Sequence, residues 1–286
     1  MKDEFARFHP LVNLIFYIVV LGITMFQMQL GLVLISFVSA LVYYFCLKKR
    51  TGIKYLLVII GIFFVASFMN PLFSHRGNTL LFYLFTGNPV TLESMIYGMV
   101  SAAIICGMLL WFSTFHQIMG MERMLGAIGK IMPHIALLIS MILRFIPQYT
   151  KHQRKVAMYN GAKESSFMEK LKSGCRTFSI TTTWALENSI DTADSMKARG
   201  FGVKRRTSYS NYKVEGRDIA AVLWIVALAA GVIWMLQKEI IYTYYYPYVI
   251  YKGSMAAYVL YGLLCLTPVL INVREEIRWF RLKLKI

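Results

Sequence analysis

The residues of this chain best placed to do chemistry sit at the end of a helix. Residues from Arg176 to Arg199 read as helical, with Ile180, Trp184, Ile190, Ala193 and Met196 keeping broadly to one face. Gly200 comes next. Glycine is the usual residue just past a helix because it takes the left-handed conformation without a Cβ penalty. Arg199 therefore falls in the last turn, where the helix dipole favours a cation. Its planar fork can project beyond the helix end toward a partner's carboxylate or carbonyl. Such a group docks and neither makes nor breaks bonds. On local physics alone, an ordinary capping cation is the simpler account. Glu187, Asp191 and Asp194 form an acidic ridge on the same helix, with Asp194 and Lys197 three apart and able to pair.

Signatures of bond-making chemistry do not accompany that arginine. Gly129-Lys130 lacks the earlier Gly of a phosphate-binding loop, and Ile131 stands where Ser or Thr would follow. There is no HExxH, GxSxG or GxGxxG. Cys46, Cys106, Cys175 and Cys265 are widely separated, with no CxxC and no Cys/His pair at metal-ligand spacing. The expectation is a chain that is not an enzyme, with no metal, cofactor or disulfide of its own.

The elements that must position Arg199 belong to a membrane protein. Of 286 residues, 57% are hydrophobic and 16% charged, with mean hydropathy +0.54. Soluble domains carry about 25% charge. Apolar runs near the ~20-residue length of a transmembrane helix fall at roughly 11–29, 30–47, 53–70, 91–112, 218–236 and 254–271. The first two, joined around Gln27, Gln29 and Gly31, predict an antiparallel hairpin. With the N-terminus inside and all six runs crossing, the inner segments 1–10, 47–54, 113–217 and the tail after 271 hold 28 of the 31 Lys and Arg. The positive-inside rule then puts both termini in the cytoplasm. No signal-peptide cleavage site follows the first run.

A seventh run, Ile131 to Pro147, has two readings. It carries His134 and Arg144, and a charge at mid-bilayer costs about 2.5–3.5 kcal/mol. If it crossed, residues 148–217 would lie outside with 14 Lys and Arg. The preferred reading is an interfacial or buried helix on the cytoplasmic face; a true span is the competitor. After Pro147, Gln148–Glu164 predicts a polar helix. Ser166-Phe-Met-Glu169 fits a capping box that starts a second helix, which Gly174 should interrupt. Turn formers at Asn70–Asn78 and Thr86–Pro89, and the tyrosines around Pro247, fit external connections and an interfacial aromatic belt.

The predicted fold class is thus an all-α integral membrane protein of about six transmembrane helices plus a cytoplasmic or interfacial helical region. Residues 1–112 form the N-terminal transmembrane helices. Residues 113–217 form the cytoplasmic helices, with 131–147 interfacial. Residues 218–286 form the C-terminal transmembrane helices and a basic tail.

Against that frame, Thr192-Ala-Asp-Ser-Met-Lys-Ala-Arg-Gly-Phe-Gly202, following Leu186-Glu187, resembles the second Ala-Arg-Gly coupling motif of the transmembrane T component of energy-coupling factor (ECF) transporters. Leu143-Arg-Phe-Ile-Pro147 resembles the element that opens that family's coupling region, and Phe8-His-Pro-Leu-Val-Asn13 resembles its N-terminal start. The resemblance runs in the family's order from near the start of the chain to residue 202.

It implies a module in which two ABC-type ATPases bind the coupling helices, while a small membrane S component captures a vitamin or metal ion. The location implied is a bacterial or archaeal cell membrane. ATP and Mg would be bound by the ATPases. Ala198, Arg199 and Gly200 match the second motif residue by residue. The first motif departs: Ala157-Met-Tyr-Asn-Gly161 stands in its place, with Asn160 where Arg would be and Gly161 still able to end the helix. Run 131–147 would be the apolar surface toward the S component, and the 17 methionines suit an adaptable interface.

Two other functions compete. A stand-alone secondary carrier usually needs intramembrane charge, and carboxylates inside the spans are nearly absent, with Glu93 near a span end. A scaffold with a polybasic cytoplasmic face could bind anionic lipid. Orientation already accounts for most of the net charge of +17, so nucleic acid is not an expected partner.

Overall fold

Each of the six apolar runs forms a helix. The computed structural model describes residues 4–48, 52–74, 77–83, 89–160, 166–202, 214–238 and 242–283. The chain order is α1 (Pro10–Phe26), α2 (Leu30–Lys48), α3 (Ile53–Phe73), β1 (Leu80–Tyr83), β2 (Pro89–Thr91), α4 (Leu92–Ile118), α5 (Met121–Ile131), α6 (Pro133–Asn160), α7 (Phe167–Ala198), α8 (Gly216–Gln237), β3 (Tyr242–Tyr244), β4 (Ile250–Lys252) and α9 (Met255–Lys283). Helices α2, α3, α4, α8 and α9 are long and apolar enough to cross a membrane, and α1 is a shorter apolar helix of 17 residues. The protein is an all-α integral membrane protein.

The chain divides into two compact units, Met1–Met124 with Tyr212–Ile286, and Leu125–Asn211. In the first unit α4 is the central helix, with half of its apolar window buried. Trp111 on α4 is fully buried, packing edge-on against Phe16 and Tyr17 of α1 at centroid distances of 5.8 and 6.1 Å. Its indole Nε1–H donates to Ser36 Oγ on α2 at 3.1 Å. Ser36 Oγ lies 3.0 Å from Thr24 Oγ1, which in turn lies 2.8 Å from Tyr261 OH on α9. One buried polar chain thus ties α1, α2, α4 and α9. Lipid offers such groups no alternative partners, so hydrogen bonds between helices help set their register.

Helix α3 is peripheral and joins α4 by close backbone approach. A Cβ at Gly98 would lie 2.5 Å from the Ser67 carbonyl oxygen. Only glycine permits that distance, as small residues do wherever membrane helices pack tightly.

Two connections hold short β-hairpins; of the turn segments expected at Asn70–Asn78 and Thr86–Pro89, residues 75–76 and 86–88 lie outside the described residues. β1 pairs antiparallel with β2, and β3 with β4 in the register Thr243 opposite Tyr251. Strands of three or four residues leave no periodicity to read. Within the second hairpin Tyr245 is buried and its hydroxyl donates to the Met28 carbonyl. Burial pushes its phenol up to about 12.

In the second unit, two expected breaks are absent. α6 runs unbroken through Pro147 and α7 through Gly174. Proline removes one backbone donor, a loss that a 28-residue helix absorbs. A Cβ at Gly174 would meet nothing within 4 Å, so that glycine brings weak propensity with no packing demand, and the helix continues. The run 131–147 is therefore not a separate element. Its residues from Pro133 onward form the first half of α6, continuous with the polar segment after it.

Candidate coupling site

The helix that carries Arg199 begins as the sequence indicates. Ser166 is its N-cap, and the Ser166 N–H donates to Glu169 Oε2 at 3.3 Å. Along α7, reduced exposure recurs at Thr177, Thr181, Trp184, Ala185, Asn188, Thr192 and Met196. That three-to-four spacing marks one face. Trp184 on it stacks on His152 of α6 at 4.1 Å with rings 4° from parallel, and meets Tyr149 edge-on at 5.5 Å.

This corrects the apolar face expected for the helix. Trp184 and Met196 do lie on the covered side, but Ile180, Ile190 and Ala193 are exposed. The covered side is rich in threonine. Thr181 and Thr192 donate their hydroxyls to the carbonyls of Thr177 and Asn188, both at 2.7 Å. A threonine bonded back to its own helix presents mainly its methyl group. Residue polarity was therefore a poor guide to the packed face.

At its far end α7 closes in a Schellman motif. The Phe201 N–H donates to the Met196 carbonyl at 3.0 Å and the Gly200 N–H to the Lys197 carbonyl at 2.9 Å. Gly200 has φ +81°, the left-handed region that Gly adopts freely. Arg199 is the C-cap residue, exposed, and its side chain makes no hydrogen bond or ion pair among the described residues. The neighbouring cation differs: Lys197 lies 3.7 Å from Asp194. Ala198 completes the last helical turn. A closed helix end thus carries an exposed guanidinium, a group able to engage an acidic or carbonyl-lined groove.

Asn160 is the last residue of α6, while Gly161 lies outside the described residues. Each motif thus ends a different helix. From the His152–Trp184 crossing, about 12 Å of α6 leads to Asn160 and about 22 Å of α7 to Arg199, at ~1.5 Å per residue. The crossing fixes two helix ends of unequal reach.

The first unit holds a residue that sequence reading missed. His9 is the N-cap of α1, its Nδ1 accepting from the Leu11 N–H at 3.2 Å, with Pro10 at the first helical position. Asp218, buried near the start of α8, accepts from the His9 N–H at 3.3 Å and from the Glu215 N–H at 2.9 Å. One carboxylate therefore caps α8 and pins the Phe8-His9-Pro10 segment. The signal was available: Glu215 and Asp218 have the spacing of a capping box.

No protein-family model matches this sequence, and no curated protein sequence does. Among the described residues, no cluster of His, Cys, Asp or Glu could hold a metal ion.

Proposed function

We propose that this chain is the non-catalytic transmembrane coupling subunit of an ECF-type ABC importer. In this role it transmits ATP-driven movement from two ATPase subunits to a small S component that carries a vitamin or a metal ion. The observation that carries the reading is Arg199: an exposed side chain, with no hydrogen bond or ion pair among the described residues, on the backbone of a Schellman stop at the end of a 32-residue helix, within an Ala-Arg-Gly-Phe-Gly sequence. A docking residue must be available to a partner and carried on a fixed backbone, and Arg199 is exposed at a closed helix end.

The exposed apolar stripe of α6, formed by Ile135, Leu138, Ile142 and Ile146, supports a contact with the S component. Its residues recur at three and four, so one helix face is left uncovered by the described residues. ATP and Mg belong to the ATPases, and both termini of the chain lie in the cytoplasm of a bacterial or archaeal cell.

Transport assays separate this reading from a self-sufficient carrier. The purified chain alone in liposomes is expected to move no vitamin or metal ion down a gradient above the protein-free leak. Saturable flux without ATPases would establish the carrier instead.

A further inference from the structure

Helices α8 and α9 form a groove of about 420 Å³ in the first unit, with cations at one end and apolar side chains along its length. Arg217, in the first turn of α8, and Arg274, late in α9, line the charged end. Ala220, Trp224, Ile225 and Leu270 are among the apolar residues along it, and Phe5 and Phe8 of the N-terminal segment complete its wall. The sequence direction explains the gradient: α8 runs away from Arg217 toward Ile225 while α9 runs from Thr267 toward Arg274, so the two arginines come to the same end.

Trp224 and Leu270 are about half exposed, at 54% and 49%. Arg217 is held in place, its Nε donating to Glu215 Oε2 at 2.9 Å and its guanidinium lying 5.5 Å from the centre of the Phe8 ring. Arg274 is exposed and has no hydrogen bond or ion pair among the described residues. A second groove of about 410 Å³ continues along α9 with Arg278 and Arg281 beside Arg274; Arg278 pairs with Glu275 at 3.3 Å, so Arg281 is what extends the positive field.

We infer that this groove binds one anionic phospholipid, its phosphate between Arg217 and Arg274 and an acyl chain along Trp224 and Leu270. Charge and polarity both select this occupant. The planar guanidinium of arginine meets two oxygens of a tetrahedral phosphate with paired donors, and Trp224, two turns into α8 from Arg217, offers its indole to an acyl chain. Free phosphate would satisfy the arginines but leave the apolar wall unused. A zwitterionic lipid would fill the wall but bring no net charge to the cations. The inference is independent of any ATPase or S component.

The test is native mass spectrometry of the full chain released from micelles containing equal phosphatidylglycerol and phosphatidylcholine. The wild-type protein is expected to retain one phosphatidylglycerol in preference to phosphatidylcholine by about thirtyfold, as two arginines near the headgroup level imply. Arg217→Gln with Arg274→Gln should erase the preference. Ala220→Trp, which fills the apolar wall and leaves both charges, should lose the lipid. Arg281→Gln should keep it. Equal retention of the two lipids by the wild type would overturn the proposal without recourse to any variant. So would displacement of phosphatidylglycerol by millimolar inorganic phosphate, or undiminished retention in Ala220→Trp.

Discussion

Arg199→Glu is expected to cut recovery of the ATPase subunits with this chain by roughly a hundredfold or more, and to abolish coupled uptake. Removing one partner of a buried interfacial charge pair costs about 2–5 kcal/mol, and reversal adds repulsion. The chain itself should stay folded. Arg199 is exposed and has no hydrogen bond or ion pair among the described residues, and substitutions at such positions change stability by only about 0.5 kcal/mol; an acid beside the helix C-terminus adds a further penalty of about 0.3–1 kcal/mol.

Lys197→Glu is the informative control. It makes the same charge change in the same turn, at a side chain that lies 3.7 Å from Asp194. If a positioned guanidinium docks the ATPase, Lys197→Glu retains most of the complex. If diffuse positive charge does the work, the two variants fail alike. Arg199→Lys should be intermediate, since it keeps the charge and loses the fork.

The second large effect concerns stability. Asp218→Ala should destabilise the chain by about 2–4 kcal/mol, because it leaves the buried His9 amide without its acceptor and removes the capping bond to the Glu215 amide. Thermal unfolding in detergent should show a Tm lower by roughly 5–10 °C. Asp218→Asn should recover part of the loss, since its one carbonyl oxygen can serve only one of the two sites that the carboxylate oxygens serve. An unchanged Tm in Asp218→Ala would mean that the N-terminal segment is held by other contacts. Both variants leave Arg199 intact, so chain that still inserts should still bind ATPases.

How far the sequence could be read depends on which physical rule governed each part. The six apolar helices were legible because hydrocarbon imposes a length and excludes charge. The structure moves their ends: α4 continues to Ile118 and α9 to Lys283, since a helix does not stop where its apolar run stops. The stop at Gly200 was legible because a left-handed residue there is a local requirement. The breaks at Pro147 and Gly174 were misread because both residues only weaken a helix, and neighbouring turns outweigh them.

The packed face of α7 was misread for another reason. Back-bonded threonines behave as apolar groups, while Ile180 and Ile190 face away from the packing within this chain. Those exposed isoleucines are intelligible if a membrane or a partner covers them. Asp218 as the cap of α8 was legible from its spacing to Glu215, but its second role needed the fold itself, since His9 is more than two hundred residues away in the chain. Nothing local in Phe8-His9-Pro10 announces an acceptor on α8.

The most direct test of the coupling role is mass spectrometry of the intact complex purified through this chain from its native membrane. The account predicts one copy of the chain with two ABC-type ATPase subunits and one small hydrophobic protein. Recovery of the chain alone, or only with copies of itself, under conditions that preserve membrane complexes would contradict it.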